Sequence, residues 1–196
     1  DFYCVLAKEG DGYSMVLVTA DAPGLSIEKG ADLMAPHILG ELTFDGVRVP
    51  SSQRLGTPGK AFSLMLQTLA VFRVTVAASA VGLAQAALDE AVRHTRERTQ
   101  FGRPLSDLGA VSQSIALSWT EIEASRSFVY RAASLAQSDP LGHLDFSSMA
   151  KVSATEAAAR VVDRSLQSMG RFGLVRGSKI ERLYRTCDWV ALIAAL

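Results

Sequence analysis

Two short stretches of this 196-residue chain concentrate side chains able to bind a ligand. The first, Arg96-Glu-Arg-Thr-Gln-Phe-Gly-Arg-Pro-Leu105, gathers arginines around an aromatic ring and closes on Gly102 and Pro104. Arginines at a helix end have two uses. They complement the negative end of the helix dipole, or they offer a planar cation to a phosphate while a ring such as that of Phe101 packs a flat ligand. The second stretch, Leu166-Gln-Ser-Met-Gly-Arg-Phe-Gly173, reads first as a helix stop at Gly170. Glycine there also lets the backbone approach a ligand closely. Residue types and spacing alone lead to a helical bundle with an anion site between helix ends.

Other chemistries have less to stand on. No glycine-rich loop follows a strand to cradle phosphates. His37, His94 and His143 are scattered, lack the spacing of metal ligands, and read as solvated or capping residues. Ser79 and Ser153 lie in alanine-rich helix, with no sharp nucleophile turn around them, which disfavours hydrolysis. Cys4 and Cys187 form no ligand pair and no local disulfide pattern, so they read as thiols of a reducing, cytoplasmic setting. Basic and acidic residues number 20 each, which argues against a nucleic-acid-binding surface while leaving room for one local anion site. No run of 18 apolar residues and no basic leader is evident, so no membrane span is expected. An apolar fraction of 48% with 20% charged residues excludes disorder, and the positive mean hydropathy points to a large buried fraction or an extensive subunit interface.

The elements that must position these stretches change character near residue 58. Residues 1–57 read as part of an antiparallel β domain. Phe2–Ala7 and Tyr13–Thr19 are strands joined by a turn at Asp11-Gly12, Asp21–Gly24 is a second turn, and Ile38–Pro50 holds further strands punctuated at Asp45-Gly46. Residues 58–196 read as a helical bundle domain. Spacings of three and four predict helices over Gly59–Arg98, Ala110–Gln137, Asp145–Met169 and Ser178 to about Trp189. In the second helix the expected stripe is Val111, Ile115, Trp119, Ile122, Val129 and Ala133, and in the third it is Phe146, Met149, Val152, Ala159, Val162, Leu166 and Met169. Asp145 is the expected cap of the third helix. Three helices of this length predict a long up-down bundle. The fold class is therefore mixed, mainly α, with a partial antiparallel β domain first. Both ends of the chain read as cut from something longer.

At these residues the sequence resembles the acyl-CoA dehydrogenase family, over nearly its whole length. Gly40-Glu-Leu-Thr-Phe-Asp-Gly-Val-Arg-Val-Pro50 resembles the last strands of that family's middle β domain. Arg73 with Ala80-Val-Gly-Leu-Ala-Gln-Ala-Ala-Leu-Asp-Glu-Ala91 resembles its first C-terminal helix, and Arg98-Thr-Gln-Phe-Gly102 its flavin-contacting helix end. Ala154-Thr-Glu156, Leu166-Gln167 and Ile180-Glu-Arg-Leu-Tyr-Arg185 continue the match in order.

The resemblance implies an FAD-dependent oxidoreductase of fatty-acid metabolism that acts on acyl-CoA or another acyl thioester. It implies a homotetramer or homodimer, or a hetero-oligomer, with FAD shared across subunits. By it, Arg98 contacts the FAD diphosphate, Phe101 packs beside the adenosine, and Gln167 with the backbone at Gly170 and Arg171 holds the diphosphate or adenine portion. Arg98 of one subunit is expected to face Gln167 of another. Arg73 lies on the helix lining the acyl channel. The departures are equally specific. The family's catalytic glutamate falls on Ala194, and the alternative base position falls on Phe72. Neither side chain accepts a proton. Arg171 stands where a second glycine is usual. The resemblance therefore leaves no catalytic residue in this chain. Two other readings follow from that vacancy: a non-catalytic subunit that completes a partner's flavin site, or a purely structural helical bundle.

Overall fold

The computed structural model describes residues 1–35 and 39–192, with side chains described as far as Cys187. The chain is mixed and mainly helical. It divides into two compact units: Asp1–Leu33 with the chain up to Leu69, and Met34 and Ala35 with the chain from Ala70 onward.

The first unit is antiparallel. Strand β1 (Phe2–Glu9) pairs with β2 (Gly12–Thr19) from Phe2 opposite Thr19 to Glu9 opposite Gly12, and β2 pairs in turn with the short β5 (Arg54–Leu55). The hairpin loop is Gly10-Asp11, one residue earlier than the expected Asp11-Gly12. Gly10 has a φ of +58°, the positive value that a two-residue loop beginning with glycine adopts. A separate ribbon joins β3 (Leu25–Lys29) to β4 (Gly40–Phe44). The sequence pattern missed β3, in which only Leu25 and Ile27 alternate with polar Ser26 and Glu28. The strand expected after Asp45-Gly46 does not form, and residues 47–50 have no regular structure.

The second unit is the bundle. Helix α1 (Ala61–Glu97) is 37 residues long and unbroken, and contributes to this unit from Ala70 onward. Helix α2 (Gly109–Ser138) has 30 residues, α3 (Leu144–Ser168) has 25, and α4 spans Lys179–Leu192. Every helix end lies within three residues of its expected position. Asp145 is not the cap of α3. That position is His143, and Asp145 sits inside the first turn, where its carboxylate accepts the Phe146 N–H at 2.8 Å.

The core faces differ from the expected stripes in an instructive way. Trp119 is 61% exposed, and Met149 and Val152 also face outward. The buried line of α2 is Ser118, Ile122, Ser125, Val129, Ala132 and Ala136, so the expected Ile122 and Val129 lie on it and Ile115 and Ala133 pack against the core. Helix α3 buries Ser147, Ala150, Ala154, Ala157, Ala158 and Val161 along with the expected Val162 and Leu166. Ile122, Val129, Ala132, Ala136, Ala150, Ala154, Ala158 and Val161 meet Val74, Ala77, Ala80, Val81, Ala84 and Leu88 of α1 in one cluster. Small residues let helix backbones approach, so the bundle buries its alanine faces and leaves larger side chains outside. A second cluster joins Leu83 and Ala87 of α1, Val162 and Leu166 of α3, and Ile180 and Cys187 of α4.

One helix bears on the expectation that no membrane span is present. Helix α1 contains a window of mean hydropathy 1.7 that is long and apolar enough to cross a bilayer by length and composition. The sequence reading passed over it because Arg73, Ser and Thr interrupt any continuous apolar run. In the structure, Ala77, Ala80 and Ala84 of this helix are core residues of the bundle.

Candidate anion-binding site

Helix α1 ends at Glu97, and the Arg98 N–H donates to the His94 carbonyl at 2.9 Å, closing its last turn. The chain then makes a small hairpin, β6 (Thr99–Gln100) with β7 (Arg103–Pro104), and folds back so that the Leu105 N–H donates to the Arg98 carbonyl at 2.9 Å. The hairpin loop is Phe101-Gly102, with φ of +54° and +76°. Positive φ at both loop positions is the pattern of the tight hairpin turn that favours Asn-Gly. Phenylalanine is an unusual occupant, which is why the sequence pattern showed a helix end there and no hairpin.

Helix α3 ends nearby in the same unit. Its last turn runs through Ser168 into Gly170, whose φ is +56°, and a short 3-10 turn follows over Gly170–Leu174. The Met169 N–H donates to the Leu166 carbonyl and the Phe172 N–H to the Met169 carbonyl. A side chain built on Gly170 would meet nothing within 4 Å, so the backbone is open on that side.

Between these two helix ends lies a groove of about 400 Å³. Arg98, Gln167, Gly170 and Arg171 all line it, together with His94 and Phe172. Both predicted stretches thus meet in one place. Arg98 and Gln167 border the same groove of a single chain. The ends of α1 and α3 are neighbours within the bundle. No carboxylate is among the lining residues, and among the described residues neither Arg98 nor Arg171 is in an ion pair. Arg171 and Arg98 place their guanidinium carbons 4.9 and 6.0 Å from the centre of the Phe172 ring. His94 approaches that ring at 5.3 Å, tilted by 50°.

The remaining site residues are elsewhere. Phe101 is 88% exposed at the hairpin tip and does not line the groove. Arg73 is half-buried on α1. Lys151 of α3, buried at 6% exposure, has an ammonium held below its ordinary range by burial and by the charge of Arg73, while Glu156 acts the other way. The sequence reading missed Lys151, although a lone lysine between Ala150 and Ala154 on a buried face was the available signal. Phe72 is exposed, and Ala194 lies outside the described residues. Glu181 pairs with Arg185 at 2.7 Å, as its spacing predicted, and Glu156 faces solvent. His94 joins the groove and is not merely a solvated residue, His143 packs on Phe146, and His37 lies outside the described residues. Among the described residues no cluster able to hold a metal ion occurs. Cys4 and Cys187 are not joined by a disulfide.

An antiparallel β unit followed by a long alanine-cored bundle, with a cationic groove between two helix ends, defines the structural class. Residues 59–193 match the acyl-CoA dehydrogenase C-terminal domain, and the chain belongs to the acyl-CoA dehydrogenase family. It is 35% identical to cyclohexane-1-carbonyl-CoA dehydrogenase of Geobacter metallireducens over 190 residues, which is 94% of this chain and 50% of that protein. It is 34% identical to the short-chain specific acyl-CoA dehydrogenase of Mus musculus mitochondria, covering 91% of this chain and 44% of that one. The structure of butyryl-CoA dehydrogenase from Megasphaera elsdenii superposes with a TM-score of 0.92 at 30% identity, over all of this chain and 54% of that chain. The chain thus spans about half the length of the curated relatives it matches.

Proposed function

We propose that this chain takes part in the flavin-dependent α,β-dehydrogenation of an acyl thioester, and that its groove holds the diphosphate-adenosine portion of FAD. One observation carries the reading: two guanidinium groups with no ion-pair partner among the described residues line a groove that contains no carboxylate. The donor set fits a diphosphate. Arg98 and Arg171 supply planar cations, Gln167 supplies an amide, and Gly170 leaves the backbone open to close approach. When bound, the flavin supplies the acceptor for the hydride leaving the β carbon of the thioester. This chain's own part is to bind and orient: Arg98 and Arg171 fix the anionic linkage, and Arg73 borders the acyl channel. Phe101, exposed at its hairpin tip, packs against adenosine from outside the groove. The reading includes a cytoplasmic setting, supported by two cysteines with no local disulfide pattern.

The fluorescence of FAD on titration with the chain tests the reading. Binding is expected to be weak, because the chain spans about half of its relatives' length. Arg98→Ala should weaken it by about 1.5–3 kcal/mol, the worth of a charge-assisted hydrogen bond. Micromolar binding that is unchanged in R98A would overturn the assignment. We also propose a homo-oligomer assembled through the bundle, its members acting on acyl-CoA. Light scattering at micromolar protein decides this, and a monomer would refute it.

A second reading is favoured by the sequence itself. With alanine at position 194 and phenylalanine at position 72, the chain supplies no proton acceptor at either place where the family keeps its glutamate. On that reading it completes the flavin site of a partner subunit that brings the base.

A further inference from the structure

We propose that Phe172 is the positioning residue of the groove: its ring gathers the Arg98 and Arg171 guanidinium groups so that the pair takes a diphosphate in preference to a monophosphate. The proposal rests on the reading that the groove binds the anionic linkage of a dinucleotide. Three groups converge on this one ring, with Arg171 at 4.9 Å, Arg98 at 6.0 Å and His94 at 5.3 Å. Both arginine distances fall within the range in which a cation is attracted to the electron-rich face of an aromatic ring.

Two arginines brought to one place repel each other, and proteins usually hold such a pair with a carboxylate. A carboxylate would neutralise the cations and compete with an incoming anion. No carboxylate lines this groove. A ring orients guanidinium groups while leaving their full charge available, so Phe172 suits a site that must stay cationic until an anion arrives. Its own placement is local. The 3-10 turn that begins at Gly170 carries both Arg171 and Phe172, and the Phe172 N–H donates to the Met169 carbonyl at 3.2 Å. The turn thereby sets the ring against the end of α1, where Arg98 and His94 lie one helical turn apart. Arg171, standing where the family resemblance implies glycine, adds the second cation. Two cations on one support match two linked phosphates, where a monophosphate could engage only one fully.

The test is an NMR titration of the 196-residue chain with ADP and, separately, AMP, following the amides of Arg98, Gln167, Gly170 and Arg171. Phe172→Leu and Phe172→Met remove the ring while keeping apolar volume, and Phe172→Tyr keeps an aromatic face. Thermal melts confirm which variants are folded. Wild type and F172Y should bind ADP more tightly than AMP. F172L and F172M should lose roughly fivefold in ADP affinity, the scale of one such cation–ring contact, and should lose most of the preference over AMP. Equal ADP affinity in wild type, F172L and F172M, with R98A weakened, would overturn the role of Phe172 and leave the diphosphate reading standing. Absence of any ADP-induced shift at these four amides in wild type would overturn the diphosphate reading and the role of Phe172 with it.

Discussion

Two guanidinium groups and an imidazole gather around the Phe172 ring in the cationic groove, beside the Gln167 amide. Arg98 and Gln167 were legible because charge and amide side chains stood beside helix-ending glycines. His94 and Phe172 were not, because an isolated histidine and an isolated phenylalanine have no local pattern, and their value arises only when the ends of α1 and α3 meet. Phe101 is the reverse case, a residue whose identity was noticed and whose conformation was not. Its φ of +54° disfavours a side-chain-bearing residue by about 1–2 kcal/mol, a strain to which asparagine is better suited. Phe101→Asn should therefore raise thermal stability by about 1 kcal/mol, and under the proposed function it should also weaken FAD binding. A stability gain with unchanged FAD binding would remove Phe101 from the site.

Glu121 offers a prediction in pH. Its carboxylate accepts two bonds from Arg164 at 3.0 Å and one from Arg160 at 3.1 Å, linking α2 to α3. Burial pushes its carboxyl up, and hydrogen bonds from Arg164 and Arg160 more than offset that, leaving it below the ordinary range. A folded-state value below the unfolded one stabilises the fold fully above the unfolded carboxylate range, and the contribution is lost as pH falls through the folded value. Glu121→Gln should cost about 1 kcal/mol near neutrality. The gap between variant and wild type should close in acid. Denaturant melts across pH measure this, and a gap that widens in acid would contradict it.

At the scale of elements, helices were legible and their faces were less so. Periods of three and four located α1 to α4 within a few residues, since amphipathicity depends only on where polar residues are absent. Which face turns inward was decided by size. Trp119, Met149 and Val152 fit the apolar period, yet Ser118, Ala150 and Ala154 are buried in their place. A pattern that scores apolar character alone cannot see that two helix backbones come closer across alanine and serine than across tryptophan. The short strand β3 was missed for a different reason, because its alternation rests on Leu25 and Ile27 alone. Gly82, mid-way along α1, yields an element-scale prediction. A side chain added there would meet nothing within 4 Å, so the chain itself does not require glycine. Gly82→Ala should raise stability by about 1 kcal/mol through helix propensity. An unchanged or lower melting temperature would show that this face is used by a partner.

For the whole molecule, the family was legible because separate motifs occur in the right order, and order is a global property that no single motif carries. The arrangement of subunits is not written in any one stretch, since it depends on surfaces that only a folded chain presents. The catalytic prediction belongs at this scale. If positions 194 and 72 are the base positions, as the resemblance implies, alanine and phenylalanine there mean that the chain supplied with FAD should leave the flavin oxidised when acyl-CoA substrates are added without oxygen. Loss of a general base typically lowers rates by about 10²–10⁴. Ala194→Glu should restore flavin bleaching if the remaining scaffold is competent. Rapid bleaching by the unaltered chain would mean that another residue serves as base.

The alanine face at the centre of the bundle also bears on how this sequence can change over generations. An alanine codon altered at one base yields serine, threonine, valine, proline, glycine, aspartate or glutamate. At Ala80, Ala132, Ala154 or Ala158 each of these is penalised: glycine loosens the helix, proline breaks it, acids strand a charge, and the others overfill or add a polar atom. The inner seam is consequently a slow-drifting part of the gene, one codon at a time. The outer positions held by Trp119, Tyr130 and Val152 can vary as freely as whatever partner they meet allows.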